Sequence, residues 1–119
     1  MALDGVHHVS LVVRDLEAAR RFYVGVLGLD EIARPPFRFP GLWLRSGAQE
    51  IHLIERPGFA PPEGQHFAFR ARGLDVLAAR LAAQGIEVRG PIDVPGAGRQ
   101  AFLRDPTGNL IELNEPKAR

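Results

Sequence analysis

The chain carries one pattern twice, and that duplication limits what it can fold into more than any other feature. His8 opens the apolar run HVSLVV and is followed by DLEAARRFYVGVLG; His66 opens HFAFRAR and is followed by GLDVLAARLAAQG. His8 and His66 lie 58 residues apart, as do Leu16 and Leu74, while Gly28 and Gly85 lie 57 apart. Each half closes in an alternating strand with a potential ligand at the same point, His52 in QEIHLIE and Glu112 in NLIELNE, 60 residues apart. Repetition at this period means one supersecondary unit used twice. A half of about 55 residues is marginal alone. The expectation is therefore a single domain over residues 1–119, built of two interdependent modules at about 5–56 and about 64–115.

The order of elements follows from periodicity. Residues 6–13 read as a short β-branched strand buried on both faces. Asp15 is placed to cap a helix whose stripe is Leu16, Ala19, Phe22, Tyr23, Val26 and Leu27, and Gly28 ends it. LDEIARP is a second strand stopped by Pro35 and Pro36, and GLWLRS and QEIHLIE form a hairpin around Ser46, Gly47 and Ala48. After the proline-stiffened stretch 57–64 the order repeats. A strand at 65–71 leads into a helix with Leu74, Leu77, Ala78 and Leu81 on one face, closed by Gly85. The strand IEVRGPI, a loop at 95–98, and a last hairpin turning at Asp105-Pro106-Thr107-Gly108 complete it. Two helices against eight strands make the fold α+β, two βαβββ modules whose mixed sheet curls because helices cover only one face.

Strand parity then tests whether the candidate ligands belong together. Residues i, i+2 and i+4 share a sheet face. Val9, Leu11 and Val13 form an apolar set that a helix covers, leaving His8 opposite; Ile51 and Leu53 leave His52 opposite. Phe67 and Phe69 leave His66, and Ile111 and Leu113 leave Glu112. All four fall on the face without helices. A single strand histidine is usually a surface or structural residue, and His7, on the other parity, is read that way. Taken jointly, three imidazoles and a carboxylate at repeat-equivalent positions point to one divalent first-row ion: Zn, Ni, Fe, Mn or Co. Arg70, on the parity of His66, is a candidate anchor for an anionic substrate group. Arg38 and Arg99, in Gly/Pro-flanked loops, are candidates of the same kind. Trp43 is read as a core residue.

Composition removes other classes. The formal net charge is +1 with no basic block, so no nucleic-acid partner is expected. With no cysteine, disulfides, thiolate ligation and a cysteine nucleophile are excluded. Apolar runs are only strand length, so no membrane segment is expected and a cytoplasmic protein is the default reading.

The motifs together resemble the vicinal oxygen chelate superfamily, which holds glyoxalase I, bleomycin-resistance proteins, fosfomycin-modifying thiol transferases and extradiol dioxygenases. The likeness runs from Gly5 to Asn114. It rests on the His8 strand with Asp15-Leu16, on Phe22-Tyr23, on Leu27-Gly28-Leu29, and on Asp105-Pro106-Thr107-Gly108-Asn109 leading into Ile111-Glu112-Leu113. It implies paired βαβββ modules around a U-shaped metal cavity, with ligands at His8, His52, His66 and Glu112. It also implies a homodimer acting on a small-molecule substrate. The implied activity is that of a glyoxalase-like lyase or isomerase working on a small oxygen-chelating carbonyl compound through an enediolate-type intermediate, with Glu112 or His52 as proton shuttle. Glyoxalase I carries glutamate where this chain has His52. The set His8, His66 and Glu112 matches the two-His-one-carboxylate triad of the dioxygenases, so an Fe(II) extradiol dioxygenase is the alternative. A non-catalytic drug-binding resistance protein is the second alternative.

Overall fold

The computed structural model describes residues 2–117. The chain divides into two compact units, with the division between Pro61 and Pro62, inside the proline-rich stretch. In the first unit β1 (His8–Val13) is followed by α1 (Leu16–Arg20), which continues as a π-helical stretch (Arg21–Val26). β2 (Asp30–Ile32), β3 (Gly41–Ser46) and β4 (Gln49–Glu55) then complete an open four-stranded sheet in the order β1-β4-β3-β2. The second unit repeats this plan: β5 (His66–Arg70), α2 (Leu74–Ala83), β6 (Arg89–Val94), β7 (Gly98–Arg104) and β8 (Leu110–Glu115), ordered β5-β8-β7-β6. In each sheet the first strand lies parallel to the last and the remaining pairs are antiparallel. The fold is α+β, as expected.

Alternation places the cores. In the first unit Val13, Leu42, Leu44, Ile51 and Leu53 are buried on one face with Ala19, Phe22 and Tyr23. In the second, Leu74, Ala78 and Leu81 of α2 are buried, as are Ala101, Leu103, Ile111 and Leu113. Burying each such leucine contributes about 1.5–3 kcal/mol. The start of each helix is held by an equivalent carboxylate at the end of the last strand. Glu55 Oε2 accepts the Leu16 N–H at 2.8 Å, and Glu115 Oε2 accepts the Gly73 N–H at 2.9 Å. Both satisfy amides that a helix cannot pair internally and set negative charge at its positive end. Asp15 also accepts from the Ala18 N–H at 3.1 Å, the cap expected from sequence.

Several local expectations are corrected. β1 starts at His8 and is not buried on both faces: His8 and Ser10 are exposed while Val9 and Leu11 are half-buried. It is an edge strand of its sheet, with α1 packing over the neighbouring strands β3 and β4. The first helix widens after one turn, and its Leu27 N–H bonds to the Phe22 carbonyl at 2.9 Å. Gly25 lies in this stretch and weakens the α ladder; Phe22 and Tyr23 are both buried in it. β2 has only three residues. β6 begins at Arg89, with an irregularity in its pairing between Arg89 and Ile92. The loop at 95–98 is a tight turn closed by the Ala97 N–H on the Val94 carbonyl at 2.9 Å.

The Asp105 turn is a folding device. Asp105 Oδ1 accepts the amide N–H groups of Thr107 and Asn109 at 2.9 and 2.8 Å, and Oδ2 accepts from Asn109 Nδ2 at 2.9 Å. All three residues are buried, so these pairings answer the demand that buried polar groups be satisfied. The turn sets the entry into β8 and hence the register of Glu112.

Candidate metal centre

The helix-free face of the first sheet carries a column of flat rings. His52 is registered against Ser10 of β1 and Trp43 of β3. Its ring lies between those of His8 and Trp43, with centroids 4.0 Å from each and interplanar angles of 18° and 2°. Trp43 is thus not a core residue but the floor under His52. Odd positions of β3 share the His52 face, while Leu42 and Leu44 take the core. Phe37 lies 6.1 Å from Trp43 and stacks on Phe39 at 5.3 Å, and the Arg34 guanidinium sits 5.0 Å from both phenyl centroids.

Two polar contacts hold the edges of these imidazoles. His52 Nε2 lies 2.8 Å from Glu50 Oε1, and His8 Nδ1 lies 2.9 Å from His7 Nδ1. The hydrogen bond with His52 holds the Glu50 carboxyl below the usual carboxylate range, against the opposing effect of desolvation. An ionised carboxylate only accepts, so the His52 nitrogen facing it is an N–H. A neutral imidazole satisfies this contact.

The second unit places His66 and Glu112 together in a different way. His66 Nδ1 lies 2.9 Å from the Gly64 carbonyl oxygen, so Nδ1 carries the proton. Its Nε2 lies 3.2 Å from Glu112 Oε1. A neutral ring would turn its lone pair on a carboxylate oxygen; the pair is relieved only when a cation, a proton or a metal ion, lies there. Two donors sharing a first-row ion at about 2.1 Å each are separated by about 3.0–3.4 Å, and this pair fits. Asn114 Nδ2 donates to Glu112 Oε2 at 3.0 Å and to the Ala97 carbonyl at 3.1 Å, fixing the carboxylate. Phe102 stands opposite Glu112 on β7, its ring 5.5 Å from that of His66. A tautomer set by a backbone carbonyl and a carboxylate steered by an amide are the supports that metal ligands typically have.

Among the described residues no group of three or more histidines, cysteines and carboxylates is arranged to hold a metal ion. The expected ligands stand as two pairs, His8 with His52 and His66 with Glu112. Of the expected anion anchors, Arg70 is exposed on the His66 face, opposite Asn114. Arg38 is exposed in the loop before β3. Arg99 lies on the other parity of β7 and is engaged by Asp75 of α2 at 2.6 Å and Asp93 at 3.2 Å. Sequence reasoning did not single out Glu50 or Phe102. Parity was the available signal for Glu50, two residues from His52 on its own face, whereas Phe102 is placed by the register of β7 on β8.

Among the described residues no helix is long and apolar enough to cross a membrane. The chain is 32% identical to "Glyoxylase I 4" of Arabidopsis thaliana, over 93% of this chain and 70% of that protein. A solved structure assigned to the glyoxalase family, from Bacillus anthracis, is 33% identical with a TM-score of 0.90, covering 98% of both chains. TnmS3, an antibiotic binding protein from Streptomyces sp. CB03234, is 35% identical with a TM-score of 0.80, over 98% of this chain and 99% of that one. The family model matches residues 5–113, and the chain belongs to the Glyoxalase/Bleomycin resistance protein/Dioxygenase superfamily, the vicinal oxygen chelate group.

Proposed function

We propose that this protein is a metal-dependent lyase or isomerase of the glyoxalase type, acting on a small carbonyl compound that presents two neighbouring oxygens. The metal-binding residues are His66 and Glu112 in the second unit and His8 and His52 in the first. The observation that carries this reading is the His66–Glu112 pair, whose 3.2 Å separation suits two donors sharing one ion. A bound divalent ion supplies Lewis acidity, stabilising negative charge that develops on the substrate oxygens. Glu112, buried and oriented through Oε2 by Asn114, or His52 in the first unit, takes a proton from one substrate carbon and returns it to the next. Arg70, on the same face, anchors an anionic group of the substrate.

The test is the metal content of chelator-free protein by elemental mass spectrometry, beside a His66→Ala/Glu112→Ala double variant. About one ion per site in the parent and none in the variant is the expected result. A parent that stays empty after reconstitution with Zn, Ni, Fe and Mn sinks the proposal.

A second reading, ligand sequestration without chemistry, is favoured by the ring column of the first unit. Phe37 and Phe39 are 46% and 47% exposed beside Trp43, and exposed aromatic surface of this kind marks binding sites. The likeness to an antibiotic binding protein agrees with it. Trp43 is the only tryptophan, so its emission reports the site directly. Quenching by planar aromatic antibiotics in the metal-free protein, with no turnover after metal loading, would establish this reading over the first.

A further inference from the structure

We infer that Glu50 is a positioning residue for His52: its carboxylate accepts the ring Nε2–H at 2.8 Å and leaves Nδ1 as the nitrogen that carries the lone pair. Glu50 is held on both sides, since Arg45 lies 3.9 Å from its other oxygen. The ring cannot swivel away, because the rings of His8 and Trp43 pack on its two faces at 4.0 Å. Edge and plane of the imidazole are therefore both fixed, which is what orients a histidine toward a metal.

The device belongs to the first unit alone. Register puts Glu50 opposite His8, and the same place opposite His66 is Leu110. The two units consequently present opposite imidazole nitrogens. His66 is protonated at Nδ1 by its bond to the Gly64 carbonyl and offers Nε2, whereas His52 is protonated at Nε2 and offers Nδ1. The consequence for metal binding rests on the proposed function; the tautomer assignment does not.

Long-range 1H–15N correlation spectra of the ring nitrogens separate these claims. They are recorded on metal-free protein at a pH about two units above the ordinary histidine pKa of about 6.5. The parent and Glu50→Gln are expected to show His52 protonated at Nε2 and not at Nδ1. In Glu50→Ala the His52 proton redistributes between the two nitrogens, and Zn²⁺ affinity falls about 10- to 100-fold, with Glu50→Gln restoring both. A parent His52 protonated at Nδ1, or a Glu50→Ala spectrum identical to the parent's, overturns the inference. So does an unchanged Zn²⁺ affinity beside an altered tautomer. A parent that binds no Zn²⁺ yet shows the tautomer change would sink the metal reading while the assignment of Glu50 to His52 holds.

Discussion

The two units share a backbone plan and differ in the charge their candidate ligand pairs demand. In the middle of β4, His52 meets Glu50 from its own strand, and a neutral imidazole satisfies that contact. In β8, Glu112 meets His66 of the neighbouring strand through Nε2 while Nδ1 donates to the Gly64 carbonyl, and that contact asks for positive charge. The floor is aromatic in both, Trp43 under His52 and Phe102 beside His66. Glu50 has its counterpart in Leu110 and Ile54 in Asn114, so each unit surrounds its candidate ligand with a different partner. Duplication therefore preserved the side-chain directions that folding requires. The chemistry diverged on the one face that the core does not use.

The most severe way to break this comparison is Glu112→Gln. It removes the negative charge the His66 pair is built around, and divalent-ion affinity measured by calorimetry should fall by more than the roughly 100-fold that an outer partner reaches. An affinity within threefold of the parent would show that the second unit is not the cation-demanding one.

Asp105→Ala comes next. It strands two buried amides and should cost about 2–4 kcal/mol in denaturant unfolding. Gly47→Ala, in the first unit's counterpart turn with φ of 59°, should cost only about 1–2 kcal/mol. Equal costs would mean that the buried network adds nothing to the second unit.

Asn114→Ala should weaken metal binding about 10- to 100-fold, whereas Ile54→Ala, its counterpart, should leave it unchanged. If both changes act alike, the amide does not steer Glu112. Smaller effects are expected where the units agree. Glu55→Gln and Glu115→Gln each weaken the hold on a helix start, by about 1 kcal/mol in either unit. A large difference between them by thermal unfolding would deny their equivalence.

The smallest effect is electrostatic. The Glu50 carboxyl titrates below its ordinary value of 4.5 because His52 bonds to it. A lowered folded-state pKa stabilises the fold above the unfolded value, and that contribution is lost as pH falls through the folded one. The stability gap between parent and Glu50→Gln should thus be level from neutral pH down to about 4.5 and close below it. A gap that widens as pH falls below about 4.5 reverses the sign and rules the assignment out.

Much of the candidate site was legible because its signal is local. A two-residue period says which side chains leave the apolar face, and it put His8, His52, His66 and Glu112 on the face opposite the core before any coordinate. The helices and hairpins were equally readable from Asp15, Gly28, Gly47, Gly85 and the Asp105 turn, since caps and turns depend on a few neighbouring residues. Less was readable where an element's form depends on what it packs against. β1 looked buried on both faces because its residues are β-branched, yet an edge strand with one helix-covered face leaves His8 and Ser10 exposed. The helix stripe was right, but its widening over Arg21–Val26 is not encoded in the spacing.

By itself, then, the sequence determined the duplicated βαβββ order, the α+β class, the apolar face of each sheet and the four residues set against it. Tertiary structure alone decided what those residues do to one another. Register brought Trp43 under His52 and stood Glu50 opposite His8 rather than leaving that place to a leucine, as in the second unit. It also turned Arg99 to Asp75 of α2, a helix 24 residues away in sequence. Parity is a property of one strand, whereas a hydrogen bond, a stacked ring or an ion pair needs two segments at a fixed separation. Only the hydrogen-bonded alignment of whole strands supplies that separation.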